Sequence, residues 1–182
     1  MEGKVKNPAF KKRELKITSI YSRSLMTRNI ILEITHIGKN LKEIIEKEVI
    51  YNFEGKCDQQ GYIKPGSIKV ITFSSGLIKN GNIISFSVVF ECEVCFPVEG
   101  TLISCKANSI TKAGITAEST NEKPSPIIVF IARDHNYSNS YLSEISEGDN
   151  ITVRVLGQRF ELNDKFISVI GELVKPQIVK NK

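Results

Sequence analysis

The sequence has few histidines, the residue that most often serves as a general acid or base in catalysis. Among its 182 residues there are two histidines, His36 and His135, and no tryptophan. Asp134 precedes His135 and could orient its imidazole, but no serine or cysteine stands at a spacing recognised for a paired nucleophile. The glycines follow neither the dinucleotide-binding nor the phosphate-loop spacing. We therefore expect a protein that is not an enzyme and that holds no cofactor.

Long apolar runs are also missing. No stretch approaches the roughly 20 residues that a membrane-spanning helix needs. The first 13 residues are basic and are not followed by the apolar core of a signal peptide. We expect an intracellular protein without membrane contact.

The four cysteines do not form a convincing metal site. Cys92 and Cys95 make a C-x-x-C spacing, but in a strand residues three apart point to opposite faces. A zinc site that adds Cys57 and Cys105 is the alternative to buried, reduced thiols. We predict thiols without metal.

Charge divides unevenly along the chain. Through Cys95 there are 15 Lys and Arg against 10 Asp and Glu, whereas the rest of the chain has 10 of each, so the net charge of +5 lies in the first half. A basic arm supplies much of it, with Lys4, Lys6, Lys11, Lys12, Arg13 and Lys16. This arm is either a solvated terminus or a contact for an acidic partner.

The first half has the patterns of a helix packed on a sheet. Leu15, Ile17 and Tyr21 predict one strand, and the alternation of Ile30, Leu32 and Ile34 predicts a second. Between residues 40 and 55 the period becomes helical, with Asn40 as the cap. A loop over 54–67, a strand over 68–73 and a hairpin at Asn80-Gly81 complete an α+β unit.

The stretch from residue 83 to 117 organises the chain. It alternates apolar and polar residues as a strand does, but it is too long for one ordinary strand. Pro97 cannot donate to a ladder and Gly100 tolerates a bend, so we predict a hinge at residues 96–100. The second half then has five strand candidates, at 101–107, 113–118, 127–132, 151–156 and 166–173, which match a five-stranded OB barrel.

Six short motifs, taken in order, resemble one family. They are EGKC at 54–57, GYIKPG at 61–66, PVEG at 97–100, KAG at 112–114, VFIARDH at 129–135 and GQRFEL at 157–162. Their order resembles the stalk subunit of multisubunit DNA-directed RNA polymerases, the seventh subunit of the RNA polymerase II type. This family includes archaeal relatives, and the motifs are most similar to those of versions encoded by large cytoplasmic DNA viruses.

This resemblance implies a two-domain protein: a tip domain at 1–96 that docks on the polymerase core, an OB barrel of the ribosomal S-one type at 97–174, and a tail at 175–182. It also implies a second, helical stalk subunit as a partner. By the same resemblance, the core-docking segment consists of Tyr62, Ile63, Lys64, Pro65 and Gly66. An ordinary turn, with Tyr62 packed on its own sheet, is the alternative.

The resemblance further implies contact with nascent single-stranded RNA. Cations that track phosphates and rings that stack on bases carry such contacts. The candidate RNA-binding residues are Lys106, Lys112, Arg133, His135, Tyr137, Arg154, Arg159 and Lys165, with Phe130, Tyr141, Phe160 and Phe166 as candidate rings. The apolar pattern places Phe130 and Phe166 in the core and Arg154 on the outside.

We expect the RNA contact to be weak. The barrel segment has 7 basic and 10 acidic residues. Ala113, Ile115 and Thr116 surround Gly114, where S-one domains commonly have aromatic residues. A free-standing OB-fold RNA-binding factor in translation or RNA turnover is the alternative function. If the source is viral, the expected locations are the virion and the host cytoplasm or nucleus.

Overall fold

The computed structural model describes residues 19–120, 122–136 and 140–175. These residues form an antiparallel sheet of six strands with one α-helix, followed by a closed barrel of five strands. The predicted fold class, an α+β unit followed by an OB barrel, is confirmed. None of the helices in this part of the chain has the length and apolarity that crossing a bilayer would require.

The sheet of the first half is built around its last strand. The elements are β1 (Tyr21–Glu33), α1 (Leu41–Phe53), β2 (Cys57–Asp58), β3 (Gly61–Ile63), β4 (Lys69–Phe73), β5 (Leu77–Ile78) and β6 (Ile83–Cys95). β6 pairs with β1 along the full 13 residues on one edge, and with β3, β4 and β5 on the other. Every other residue of β6, including Val88 and Phe90, is buried in one core with Ile45 and Val49 of α1. Strand alternation thus selects the face that the helix covers.

Two predictions for the first half need correction. Tyr21, Ile30 and Leu32 belong to one strand rather than two, because β6 offers a partner of equal length with no turn in between. Ile34 lies beyond that strand in a short 3₁₀ helix, and Leu15 and Ile17 lie outside the described residues, as does the basic arm. The segment predicted as a loop contains the short strands β2 and β3.

Other local predictions are confirmed. α1 begins after Asn40, although the Asn40 side chain makes no capping hydrogen bond, and Gly55 follows the helix with a φ of 69°. The Asn80-Gly81 turn joins β5 to β6, with Gly81 at a φ of 67°. A left-handed conformation at this position is what glycine permits at low cost.

The barrel consists of β7 (Leu102–Ile110), β8 (Gly114–Ser119), β9 (Ile127–Ala132), β10 (Asn150–Arg159) and β11 (Ile167–Val174). Its strands follow the order β10-β11-β9-β8-β7, and pairing of β10 with β7 closes it. The β9–β11 pair is parallel and the other four are antiparallel. Inward-facing aliphatic residues such as Ile115, Val129 and Val153 fill the interior.

The predicted bend lies where one sheet gives way to the other, since β6 ends at Cys95 and β7 begins at Leu102. It is not a free hinge. The amide of Cys57 donates to the carbonyl of Asp164 at 2.7 Å, and the amide of Asn163 donates to the carbonyl of Cys57 at 2.8 Å. Cys57, Tyr62 and Cys95 also join the buried cluster of the barrel. The division into domains at residues 96 and 97 stays a prediction, because these contacts cross it.

Candidate functional site

The predicted docking segment begins with a glycine that the fold requires. Gly61 has a φ of 125°, and a Cβ built on it would lie 2.3 Å from the carbonyl oxygen of Cys95. The missing side chain therefore lets β3 approach β6 closely. This contact fixes where the following residues emerge from the sheet.

Two of the docking candidates are buried inside the protein. Tyr62 is 1% exposed and Ile63 is 0% exposed. Tyr62 packs against the barrel cluster, and Ile63 packs in the core beneath α1. Burial raises the pKa of the Tyr62 hydroxyl. The side chains of Tyr62 and Ile63 are therefore buried within the chain, although Tyr62 packs against the barrel rather than on its own sheet, as the alternative had it.

The remaining candidates, Lys64, Pro65 and Gly66, form a turn that is exposed at its apex and held in place by hydrogen bonds to Glu54. Pro65 and Gly66 are exposed, and Lys64 is half-buried. The carboxylate of Glu54 accepts hydrogen bonds from the amides of Gly66 at 2.9 Å and Ile68 at 3.3 Å. The turn is thus ordered before any partner arrives, which lowers the entropic cost of binding.

Lys64 connects this turn to the barrel. Its Nζ lies 2.9 Å from a carboxylate oxygen of Glu93 in β6 and 2.9 Å from one of Glu122 in the β8–β9 loop. The Tyr21 hydroxyl donates to the same Glu122 carboxylate at 2.8 Å. Hydrogen bonds to the two carboxylates raise the pKa of Lys64, and burial followed by the Glu122 contact raises that of Tyr21. This four-residue group, Tyr21, Lys64, Glu93 and Glu122, joins the tip and the barrel.

The predicted RNA-binding residues are divided between two ends of the barrel. Lys112, Arg133 and His135 lie at the end remote from the tip, on the β7–β8 turn and after β9. Arg133 Nε donates to the Thr111 carbonyl at 3.2 Å, and its amide donates to the Ala113 carbonyl at 3.0 Å. These contacts place Arg133 beside Lys112.

The other cations lie elsewhere on the barrel. Arg159 and Lys165 lie at the end near the tip, and Arg159 pairs with Glu161 at 3.2 Å. Arg154 faces outward, as predicted, and pairs with Glu172 at 3.6 Å. Lys106 is exposed on β7 opposite Glu118 of β8. Tyr137 lies outside the described residues. The set therefore does not form one continuous cationic track.

The core positions predicted for two of the candidate stacking rings, Phe130 and Phe166, are wrong. Phe130 is 38% exposed and Phe166 is 39% exposed, so neither is a core residue. Phe130 faces outward because its neighbours Val129 and Ile131 already fill the barrel, and Ile170 lies opposite it on β11. Phe160 makes an edge-to-face contact with Phe96, with ring centroids 6.1 Å apart, and Tyr141 packs on the barrel core.

The cysteines are four buried free thiols. Burial raises the pKa of Cys57, Cys95 and Cys105 to about 12 and that of Cys92 to about 11. Such thiols are poor metal ligands, since metals bind the thiolate. Across 19–120, 122–136 and 140–175, no three His, Cys, Asp or Glu side chains come together as a metal site would require.

The sequence did not predict the roles of three residues that shape these surfaces. Glu54 belongs to the EGKC motif and Glu122 lies in a polar loop, but neither position indicates its hydrogen-bond partner in the fold. Asn136 is 3% exposed, donates to the Ala132 carbonyl at 2.9 Å and accepts from the Leu173 amide at 3.0 Å. It ties the segment that carries Arg133 and His135 to β11.

Comparisons with known proteins agree with the motif order. No protein-family model matches the chain. Over 172 residues it is 23% identical to DNA-directed RNA polymerase II subunit 7 of Arabidopsis thaliana and 21% identical to DNA-directed RNA polymerase II subunit RPB7 of Glycine max, covering 81% of this chain and 95% of each relative. It is 22% identical over 171 residues to a putative DNA-directed RNA polymerase subunit of Acanthamoeba polyphaga mimivirus, covering 86% of this chain and 83% of that protein. The predicted resemblance is thus confirmed: along most of its length, this chain is similar to RPB7-type subunits of multisubunit DNA-directed RNA polymerase.

Proposed function

We propose that the chain is a non-catalytic stalk subunit of a DNA-directed RNA polymerase, which docks on the core enzyme by its tip and contacts nascent RNA weakly with its barrel. The observation that carries the docking role is the turn at Lys64, Pro65 and Gly66. It is exposed at its apex, braced by Glu54 and tied to the barrel through Lys64. A partner that grips this turn therefore also fixes the direction of the barrel.

Support for RNA contact is concentrated at the remote end of the barrel. Phe130 offers an exposed ring on β9, and Lys112 and Arg133 lie at the end of the same β8–β9 hairpin. A ring that stacks on a base beside cations that meet phosphates is the arrangement of sequence-tolerant single-strand binding. Because the barrel segment carries more acidic than basic residues, its binding should be weak and sensitive to salt.

The proposed partners are the polymerase core subunits and a second, helical stalk subunit. The similarity to a viral polymerase subunit supports a virion or host-cell location, in the cytoplasm or nucleus, if the source is a virus.

Docking is tested with the polymerase of the same source, purified without this subunit and incubated with the tagged chain. Pro65→Glu places a charge on the apex of the turn without touching the core. The control is Leu162→Glu, at a residue that is 60% exposed in the β10–β11 loop. We expect Pro65→Glu to weaken binding at least about tenfold, which corresponds to about 1.4 kcal/mol, while the control binds normally.

Equal binding by Pro65→Glu and the unmodified chain would refute docking through the turn. Co-purification of the unmodified chain with ribosomes or RNA, and not with polymerase, would favour the free-standing RNA-binding factor instead.

A further inference from the structure

The six-stranded sheet has two faces, and only one is fully covered. Met26, Ile30 and Leu32 of β1 point toward α1 and are buried. The intervening residues point the other way, where the barrel covers a single row at one end, formed by Tyr21, Tyr62 and Cys95. Beyond that row the outer face continues along β1, β6, β4 and β5, and no other element of residues 19–120, 122–136 and 140–175 forms a layer above it.

Charged and uncharged side chains occupy separate parts of this outer face. Next to the barrel are two charged rows: Arg23 lies beside Glu93, and Lys69 lies beside Glu91. After them the face has no charged residue until Glu33, at the far end of β1. The uncharged part consists of Thr27, Asn29, Ile31, Ser85, Ser87, Val89, Thr72 and Leu77.

The uncharged part contains large apolar side chains that are open to solvent. Ile31 is 61% exposed and Leu77 is 68% exposed, and both are cross-strand neighbours of Ser85 on β6. Leu25 at its border is 62% exposed, and Ile71 at the β4 bulge is 54% exposed. The apolar centre formed by Ile31 and Leu77 lies among uncharged Ser, Thr and Asn side chains and is bordered by charged residues, which is a composition found in protein-binding surfaces.

The charged rows enclose a cavity of about 410 Å³ that is also lined by the docking turn, with Arg23, Lys69, Pro65 and Gly66 among its walls. Lys64 lies between two carboxylates, 2.9 Å from Glu93 and 2.9 Å from Glu122, whereas Arg23 lies 3.9 Å from Glu91. Lys69 makes no ion pair within the described part of the chain. Arg23 and Lys69 therefore lack a close carboxylate and are available to pair with one from a partner.

We propose that this outer face, defined by Arg23, Leu25, Ile31, Lys69 and Leu77, is the main surface by which the chain binds a core subunit of the polymerase. The inference rests on the proposed docking function and extends it from the turn to the sheet. The partner presents apolar side chains to Ile31 and Leu77 and a carboxylate to Arg23 and Lys69.

The observations favour a protein over RNA as the occupant. Phosphate recognition needs an excess of cations along a track, but the cations of this face alternate with Glu91 and Glu93, and its centre has none. No aromatic ring of the described residues lies in the uncharged part. The turn proposed for docking lines the same cavity, so one partner surface would cover both.

The test uses the stripped polymerase described above with two double variants of the full chain. Arg23→Glu with Lys69→Glu reverses the cationic site, and Ile31→Asp with Leu77→Asp places charge in the apolar centre. The control is Tyr51→Asp, because Tyr51 is 76% exposed on the outward side of α1. Since all five side chains are exposed, circular dichroism should show folded variants.

We expect each double variant to weaken core binding at least about tenfold and the control to bind normally. The loss caused by Arg23→Glu with Lys69→Glu should shrink at high salt, while that caused by Ile31→Asp with Leu77→Asp should persist. The inference alone is overturned if Pro65→Glu weakens binding and both double variants bind like the unmodified chain. It is overturned together with the proposed function if the unmodified chain does not bind the core.

Two further outcomes would assign the face to another occupant and refute the inference. One is a dimer of the chain, seen by light scattering, that Ile31→Asp with Leu77→Asp abolishes. The other is a loss of RNA affinity in the double variants without a loss of core binding.

Discussion

Replacing Gly61 by alanine should be far more costly than replacing another glycine with positive φ. At Gly81, where φ is 67°, an added Cβ meets no atom within 4 Å, so the cost is the left-handed conformation alone, about 1–2 kcal/mol. At Gly61, where φ is 125°, the Cβ would lie 2.3 Å from the Cys95 carbonyl oxygen and 3.1 Å from Val94 Cγ1. Backbone strain of about 1–3 kcal/mol and displacement of a packed strand of about 1–3 kcal/mol then add.

Urea unfolding followed by far-ultraviolet circular dichroism measures this difference. We expect Gly61→Ala to lower the free energy of unfolding by about 3–5 kcal/mol, a large fraction of the 5–15 kcal/mol typical of a folded domain. Gly81→Ala should lower it by no more than about 2 kcal/mol. Equal shifts of the two variants would refute the close approach of β3 to β6, and with it the geometry that positions the docking turn.

Two other predictions concern the barrel and the thiols. Phe130→Ala should weaken the binding of single-stranded RNA by about 1–3 kcal/mol, measured by fluorescence titration at low salt. Phe160→Ala should weaken it less, because the Phe160 ring already contacts Phe96. Equal losses of affinity in the two variants would contradict a stacking role for Phe130. The pKa of Cys105 is raised from 9.0 to about 12 in the folded protein, so the folded state keeps a proton that the unfolded state loses as pH rises above about 9. The free energy of unfolding should then fall by up to about 1.4 kcal/mol per pH unit for this thiol between pH 9 and 12, and urea unfolding of Cys105→Ala should show a smaller fall.

The fold was predictable from the sequence where a local pattern of residues is compatible with only one kind of secondary structure. The alternation along β6, the helical period after Asn40, and the Asn80-Gly81 turn each specify an element without help from distant residues. The predicted division of β1 was wrong because the pairing length of a strand is set by its partner, which lies more than 50 residues away. Phe130 was assigned to the core because an unbroken apolar run does not show which of its alternating side chains faces the barrel interior.

The candidate site was predictable only as a segment. The motif at 61–66 predicted a docking segment, in which Tyr62 and Ile63 are buried and Pro65 and Gly66 form the exposed part. Burial of Tyr62 depends on the barrel, which packs over the end of β3. The roles of Glu54 and Glu122 depend on contacts across 12 and 58 residues of sequence, to Gly66 and Lys64, and such pairings leave no local pattern.

The two backbone hydrogen bonds that join Cys57 to Asn163 and Asp164 have a consequence for producing the two halves of the protein separately. A cut between residues 96 and 97 would separate Tyr62 and Cys95 from the barrel side chains that cover them. It would also leave the β10–β11 loop without its two main-chain hydrogen bonds to Cys57. Each fragment would then expose apolar surface that is buried in the whole chain, and it should aggregate or refold poorly when produced alone. Each half therefore contributes to the stability of the other where the barrel covers one end of the sheet.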